Sequence, residues 1–151
     1  MARKKTKDPP SIDDGPLSIG AIWSSCSPDF GEQGVIDRFG QIEPGLFITC
    51  DGYWYNGKFE DVTAKVVAIS KTLGTSVLVV PYAGDAVSVA ASLADGRTWQ
   101  EFVGCHDARP IKFEQLPFAH PLYILFSSGT TGVPKRIVHS AGGTLLQYLK
   151  E

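Results

Sequence analysis

An α/β layered domain with a mostly parallel sheet is the fold class this sequence predicts, and three stretches predict it. Leu46-Phe47-Ile48-Thr49-Cys50 is a short apolar run of strand length. Phe59, Val62, Val66, Ile69 and Leu73 then recur at steps of three and four, the stripe of an amphipathic helix. Val77-Leu78-Val79-Val80-Pro81-Tyr82 follows, apolar on both faces as a central parallel strand covered on two sides must be. A strand, helix, strand order of this kind argues for helices layered on a sheet.

The remaining elements are read in chain order. Residues 1–16 read as a tail, because Pro9, Pro10, Asp13, Asp14, Gly15 and Pro16 are turn-formers without apolar periodicity. Ile19-Gly20-Ala21-Ile22-Trp23 reads as a buried strand. Ser27 and Pro28 suit the cap and first position of a helix that turns Val35, Ile36 and Phe39 inward and stops at Gly40. Asp51-Gly52 is a hairpin signal after the strand at 46–50, with Tyr53-Trp54-Tyr55 returning and Asn56-Gly57 ending it. Lys71 and Gly74 mark the end of the amphipathic helix. Residues 83–95 are open between a weak helix and a loop. Trp99 and Phe102 are expected to pack onto the core. Leu122-Tyr123-Ile124-Leu125-Phe126 is a further apolar strand. A polar glycine-rich loop separates it from Arg136-Ile137-Val138-His139, and a helical stretch closes the chain from Gly143.

Composition bounds the function. The 151 residues suit one domain with a real core, and 43% hydrophobic with 20% charged residues is the balance of a globular chain. A formal charge of -2 gives no global pull toward nucleic acid or an anionic membrane. Arg3, Lys4, Lys5 and Lys7 concentrate positive charge at the start; with those four set aside, ten basic groups face sixteen acidic ones. A solvated terminus accounts for such a run more simply than a nucleic-acid arm. No apolar run approaches the roughly 20 residues that span a bilayer, and no secretory core follows the basic start. Cys26, Cys50 and Cys105 are odd in number and lack C-x-x-C spacing, which suggests neither a disulfide framework nor zinc and fits a reducing cytosol.

The loop at 127–135 carries the chemistry. Ser127, Ser128, Thr130 and Thr131 each offer a hydroxyl donor, and Gly129 and Gly132 let the backbone take positive φ and approach a ligand closely. Backbone N–H groups in such a loop converge on anions, and Lys135 adds a full positive charge. The set suits a polyphosphate. It is not a Walker A loop, since Val133-Pro134 separates Gly132 from Lys135, and no G-x-G-x-x-G occurs. Composition alone leaves an ordinary Ser/Thr/Gly surface loop as the competing reading.

Ser127-Ser128-Gly129-Thr130-Thr131-Gly132-Val133-Pro134-Lys135 after an apolar strand resembles the signature of the adenylate-forming enzymes. Residues 116–124, Arg136-Ile137-Val138-His139-Ser140-Ala141-Gly142-Gly143 and Ile36-Asp37-Arg38-Phe39-Gly40-Gln41-Ile42-Glu43-Pro44 are similar to the acetoacetyl-CoA synthetase branch of that family. The resemblance covers residues 17–151 and implies part of the large N-terminal domain of these enzymes. It further implies ATP-dependent activation of acetoacetate through an acyl-adenylate, then transfer to coenzyme A, in the cytosol. Carried over, Ser127, Ser128, Gly129, Thr130, Thr131, Gly132 and Lys135 bind the phosphates of Mg²⁺-bound ATP, with Thr130 and Lys135 closest to the chemistry. Relatives are several times longer. The adenine-binding aromatic loop, the ribose-binding aspartate, the hinge and the C-terminal lysine domain have no counterpart here, so little or no ligase activity is expected from this chain alone. The alternatives are a non-catalytic truncated product or interaction module that binds a partner or the intact enzyme, and a ligase for another short-chain acid. No nucleic acid or membrane partner is expected.

Other residues have plainer readings. His106, beside Cys105 and Asp107, lacks a second cluster to make a metal site. His139 is open between a place near substrate and a packed or capping role. Tyr53, Trp54 and Tyr55 suit a hairpin packing on a sheet better than a base-stacking platform. Cys26 and Cys50 read as buried and inert.

Overall fold

The computed structural model describes residues 14–107, 109–127 and 132–150. Its mixed α/β chain divides into two compact units. The first comprises residues 26–107 with 132–135, and the second residues 14–25, 109–127 and 136–150.

The first unit is built on a parallel sheet. Strand β1 (Leu46–Cys50) pairs with β4 (Ser76–Val80), and β4 with β5 (Gly96–Thr98), both in parallel. The central place expected of the 77–82 run is therefore occupied by β4. Its consecutive Val77, Leu78 and Val79 are all buried, so both faces of the strand are covered. Helix α3 (Thr63–Leu73) follows the expected stripe. Val66 and Ile69 are buried, Lys71 lies in the last turn, and Gly74 closes the helix in the left-handed region at φ 63°. Val62 and Val66 join Val77 and Val79 of β4 and Ala86, Val89, Ala90 and Leu93 in one cluster, the core of this unit. Burying each such valine or leucine contributes on the order of 1.5–3 kcal/mol over leaving it exposed.

Residues 83–95 resolve in favour of a helix, α4 (Ala86–Ala91), whose N-terminal N–H groups on Val87 and Ser88 are accepted by the Asp85 side chain. Strand β5 has no apolar run to announce it; its three residues are Gly, Arg and Thr. Thr98 and Glu101 form a reciprocal capping box that starts α5 (Trp99–Gly104). Trp99 is only half-buried and Phe102 is exposed, against the expectation that both pack onto the core.

Helix α2 (Glu32–Phe39) begins four residues later than Ser27 and Pro28 suggest. Those residues instead make a turn, closed by the Phe30 N–H to the Ser27 carbonyl at 3.2 Å, and Gly31 stands at the cap. Val35 and Phe39 are buried as expected, while Ile36 is half-buried.

The hairpin signal is corrected. Asp51-Gly52 does not return β1 on itself: β1 pairs in parallel with β4, and the strand after Gly52 belongs to a separate sheet. Strand β2 (Tyr53–Tyr55) pairs instead with β3 (Lys58–Glu60), antiparallel, across Asn56-Gly57. Both turn residues have positive φ, 47° and 74°, the geometry a two-residue hairpin of right-handed twist requires. Lys58-Phe59-Glu60 thus belongs to a strand, not to the start of α3, and Phe59 pairs with Trp54, ring centroids 5.7 Å apart. Trp54 and Tyr55 are exposed, and only Tyr53 packs against the core.

In the second unit, β6 (Pro121–Ser127) and β7 (Lys135–Ser140, of which Lys135 is grouped with the first unit) are hydrogen-bonded neighbours, and α6 (Ala141–Lys150) follows directly. Asp14, Gly15 and Pro16, read as the end of a tail, lie in a short helix α1 (Asp14–Ser18). The expected strand at 19–23 does not form. Only Trp23 bridges to Tyr123, and Ile19 and Ile22 are exposed. His120 ties this segment down, its Nε2 lying 2.9 Å from the Gly20 carbonyl. Much apolar surface of α6 is open: Leu145, Leu146, Tyr148 and Leu149 are each more than half exposed. Among the described residues no helix is long and apolar enough to cross a membrane.

Candidate functional site

The loop singled out by its sequence leaves the end of β6 and enters the start of β7. Ser127 is the last residue of β6 and is half-buried. Ser128, Gly129, Thr130 and Thr131 lie outside the described residues. Gly132 has φ 101°, a backbone setting that side chains with a Cβ rarely adopt, and nothing stands within 4 Å of where a Cβ would be. Val133 is exposed at 62%. Pro134 is half-buried, and Lys135 opens β7 with its side chain exposed.

The two ends of the loop are thus placed by regular structure, while Lys135 keeps its charge in solvent. A mobile stem ending in an ammonium group suits an anion arriving from solution, since it is a point charge with three donors. One further contact bears on the loop. Gln41, just beyond α2, donates from its side-chain nitrogen to the Pro134 carbonyl at 2.9 Å. The sequence alone gives Gln41 no role of its own beyond its place in the 36–44 segment.

His106 is exposed, its ring edge-on to Phe102 at 5.8 Å, and among the described residues no group of three His, Cys, Asp or Glu side chains stands ready to hold a metal. His139 is exposed rather than packed. It lines an open hollow of about 750 Å³ within the second unit, with Tyr123, Leu125, Val138 and Tyr148 among its neighbours. All three cysteines are free; Cys26 and Cys50 are half-buried and Cys105 exposed. Burial pushes the Cys26 thiol up against the opposing pull of Arg38 and Lys65, which keeps it protonated and unreactive.

Asp51 was missed except as a turn residue. It is buried at the end of β1, and its carboxylate accepts the backbone N–H groups of Tyr82 and Ala83 at 3.0 and 2.9 Å. The signal that points to it is the Asp-Gly pair itself, read as a strand terminus instead of a hairpin.

A family model described as AMP-binding enzyme matches residues 14–150. The chain belongs to the AMP-binding enzyme family. Within that family it is similar to acetoacetyl-coenzyme A synthetase of Rhizobium meliloti, 68% identical over 134 residues that make up 89% of this chain and 21% of the relative. It is 49% identical over 140 residues to acetoacetyl-CoA synthetase of Gallus gallus, again covering 89% and 21%. Among solved structures, acetoacetyl-CoA synthetase from Streptomyces lividans superposes with a TM-score of 0.76 at 43% identity, over 89% of this chain and 20% of that one. The chain therefore spans about a fifth of the length of the AMP-binding enzymes it matches. The mixed α/β architecture with its parallel sheet is that of the corresponding part of the Streptomyces lividans enzyme.

Proposed function

We propose that this chain supplies the ATP-phosphate-binding loop of an acetoacetate–CoA ligase. The observation that carries the reading is the unbroken Ser127-Ser128-Gly129-Thr130-Thr131-Gly132-Val133-Pro134-Lys135 run, suspended between two paired strands with Lys135 exposed at its end. The names and identities of the matched relatives support acetoacetate as the acid.

In the proposed reaction a carboxylate oxygen attacks the α-phosphorus of ATP. A P–O bond forms to the acid, the P–O bond to pyrophosphate breaks, and pyrophosphate leaves. The sulfur of coenzyme A then attacks the acyl carbonyl, the C–O bond to AMP breaks, and the thiol proton is lost. Negative charge builds on the departing pyrophosphate in the first step. Ser127, Ser128, Thr130 and Thr131 donate hydrogen bonds to it, with the amides of Gly129 and Gly132 at close approach, and Lys135 offsets its charge. Positioning and charge stabilisation dominate chemistry of this type. Mg²⁺ enters on the phosphates of ATP, in keeping with its habit of retaining waters and few protein ligands. The cytosol is the proposed compartment, where three unpaired cysteines stay reduced.

One loop does not place a carboxylate, a ribose and a thiol together, so this chain alone is expected to bind Mg·ATP without turnover. A thermal melt with and without Mg·ATP tests the binding, since a ligand of the native state raises its stability. A cooperative transition that Mg·ATP leaves unmoved at millimolar concentration sinks the reading. Acetoacetate-dependent release of AMP by the pure chain overturns the expectation of no turnover.

A second reading is an interaction module. The open leucines of α6 favour it, because apolar surface of that kind is ordinarily covered by a partner or by further chain.

A further inference from the structure

The exit of α2 and the far end of the phosphate loop are joined by one side chain. At the C-terminus of α2, backbone N–H groups of Gly40, Gln41 and Ile42 take the carbonyls of Ile36, Arg38 and Phe39. The Asp37 carbonyl is taken by the Gln41 side chain, whose Nε2 lies 2.6 Å from it. The same nitrogen donates to the Pro134 carbonyl at 2.9 Å, across 93 positions of sequence. Both partners are carbonyl oxygens, which accept only, so the amide nitrogen is the end of Gln41 that faces them. Its two N–H groups are thus divided between the helix terminus and the loop, and both Gln41 and Pro134 are half-buried.

Pro134 is a telling place for such an anchor. It precedes Lys135 and follows Val133 and the left-handed Gly132, which opens the backbone to conformations that other residues avoid. The proline ring fixes φ at its own position and supplies no N–H for a strand partner. A hydrogen bond to its carbonyl therefore holds the loop where it becomes β7.

We propose that Gln41 is a positioning residue for the phosphate-binding loop, fixing its Pro134 end and hence the point from which Lys135 reaches an anionic polyphosphate. This role rests on the phosphate reading of the loop. A lysine whose backbone is fixed before the ligand arrives needs less ordering on binding, and the ligand binds more tightly for that reason.

The test compares the native chain with Gln41→Met, which keeps the length and removes the donors. Gln33→Met serves as control, since the Gln33 amide reaches only Asp37 on its own helix. Two quantities are read: amide hydrogen exchange at Val133 and Lys135 relative to β4, and the affinity for Mg·ATP by calorimetric titration. Gln41→Met is expected to speed exchange at Val133 and Lys135 with β4 unchanged. It is also expected to weaken Mg·ATP roughly three- to tenfold, the scale of one lost hydrogen bond. Gln33→Met is expected to change neither. Native affinity and native exchange in Gln41→Met overturn the proposal. If Gln41→Met also loses protection in β4, Gln41→Lys decides, because its ammonium keeps donors at similar reach: recovered protection at Val133 and Lys135 supports the role and absent recovery overturns it. A native chain that does not bind Mg·ATP overturns the phosphate reading and this role together. Binding that Gln41→Met leaves intact overturns the role of Gln41 alone.

Discussion

Ala83 donates its backbone N–H to the Asp51 carboxylate at 2.9 Å, and this bond ties the carboxyl end of β1 to the residues that follow β4. Tyr82 donates to the same oxygen at 3.0 Å. Asp51 is 2% exposed, so the two amides face its carboxylate where water does not. Asp51→Ala leaves those amides without an acceptor and is expected to cost about 1–3 kcal/mol, the penalty for an unsatisfied buried donor. Urea denaturation of the two chains checks it. A change within experimental error would show that water replaces the carboxylate freely.

The same group sets an acid limit. Burial, the largest single influence, pushes the Asp51 carboxyl up, but the amides of Ala83, Tyr82 and Gly84 together outweigh it and hold it below its ordinary 3.8. A carboxyl whose folded pKa is depressed stabilises the fold fully above its unfolded pKa. That stability fades as pH falls through the unfolded and then the folded pKa. Melting temperature followed downward from pH 6 should therefore decline below about pH 4, the ordinary carboxylate range. Asp51→Asn should show a shallower decline. Parallel acid limbs in the two chains would remove Asp51 as a cause.

Gly96 leaves no room for a side chain. A Cβ there falls 2.4 Å from the Ala90 carbonyl oxygen and 2.8 Å from the Leu93 Cβ. Since the nearest obstacle is backbone, α4 must move away from β5 to accept Gly96→Ala. The expected loss is about 1–3 kcal/mol, the usual range for overpacking. A melt that drops by less than a degree would mean that α4 shifts without resistance.

Lys135 stands exposed at the start of β7, away from the buried core. Lys135→Ala should leave the melting temperature of the free chain nearly unchanged and weaken Mg·ATP by about tenfold, the loss of one charge-assisted contact. Thr130→Ala is expected to act in the same direction through a neutral donor, and more weakly. Calorimetry distinguishes the two, and equal affinity in all three chains would remove the loop from the phosphate site.

Some of this molecule was legible from local pattern. The periodicity from Val62 to Leu73 and the left-handed Gly74 mark α3, and the unbroken apolar run at 77–80 marks the central strand. Strand β1 was found at its own boundaries. Strand β5 was not, because Gly96-Arg97-Thr98 is held by a neighbour's backbone and carries almost no apolar signal. The run at 19–23 had the signal without the structure, since it meets β6 only at Trp23.

By itself the sequence determined the layered α/β class and supplied the hydroxyls, glycines and lysine on which the proposed phosphate site rests, because these and the apolar spacing are properties of consecutive residues. Only the tertiary structure decided which turn makes the hairpin, what the Asp51 carboxylate holds, and that Gln41 reaches Pro134. Each of these depends on groups brought together from distant positions in the chain. Asp51-Gly52 and Asn56-Gly57 are equal as local hairpin signals. Tyr53–Tyr55 pairs across Asn56-Gly57 with β3 and not with β1, and no pattern within a few residues encodes that choice.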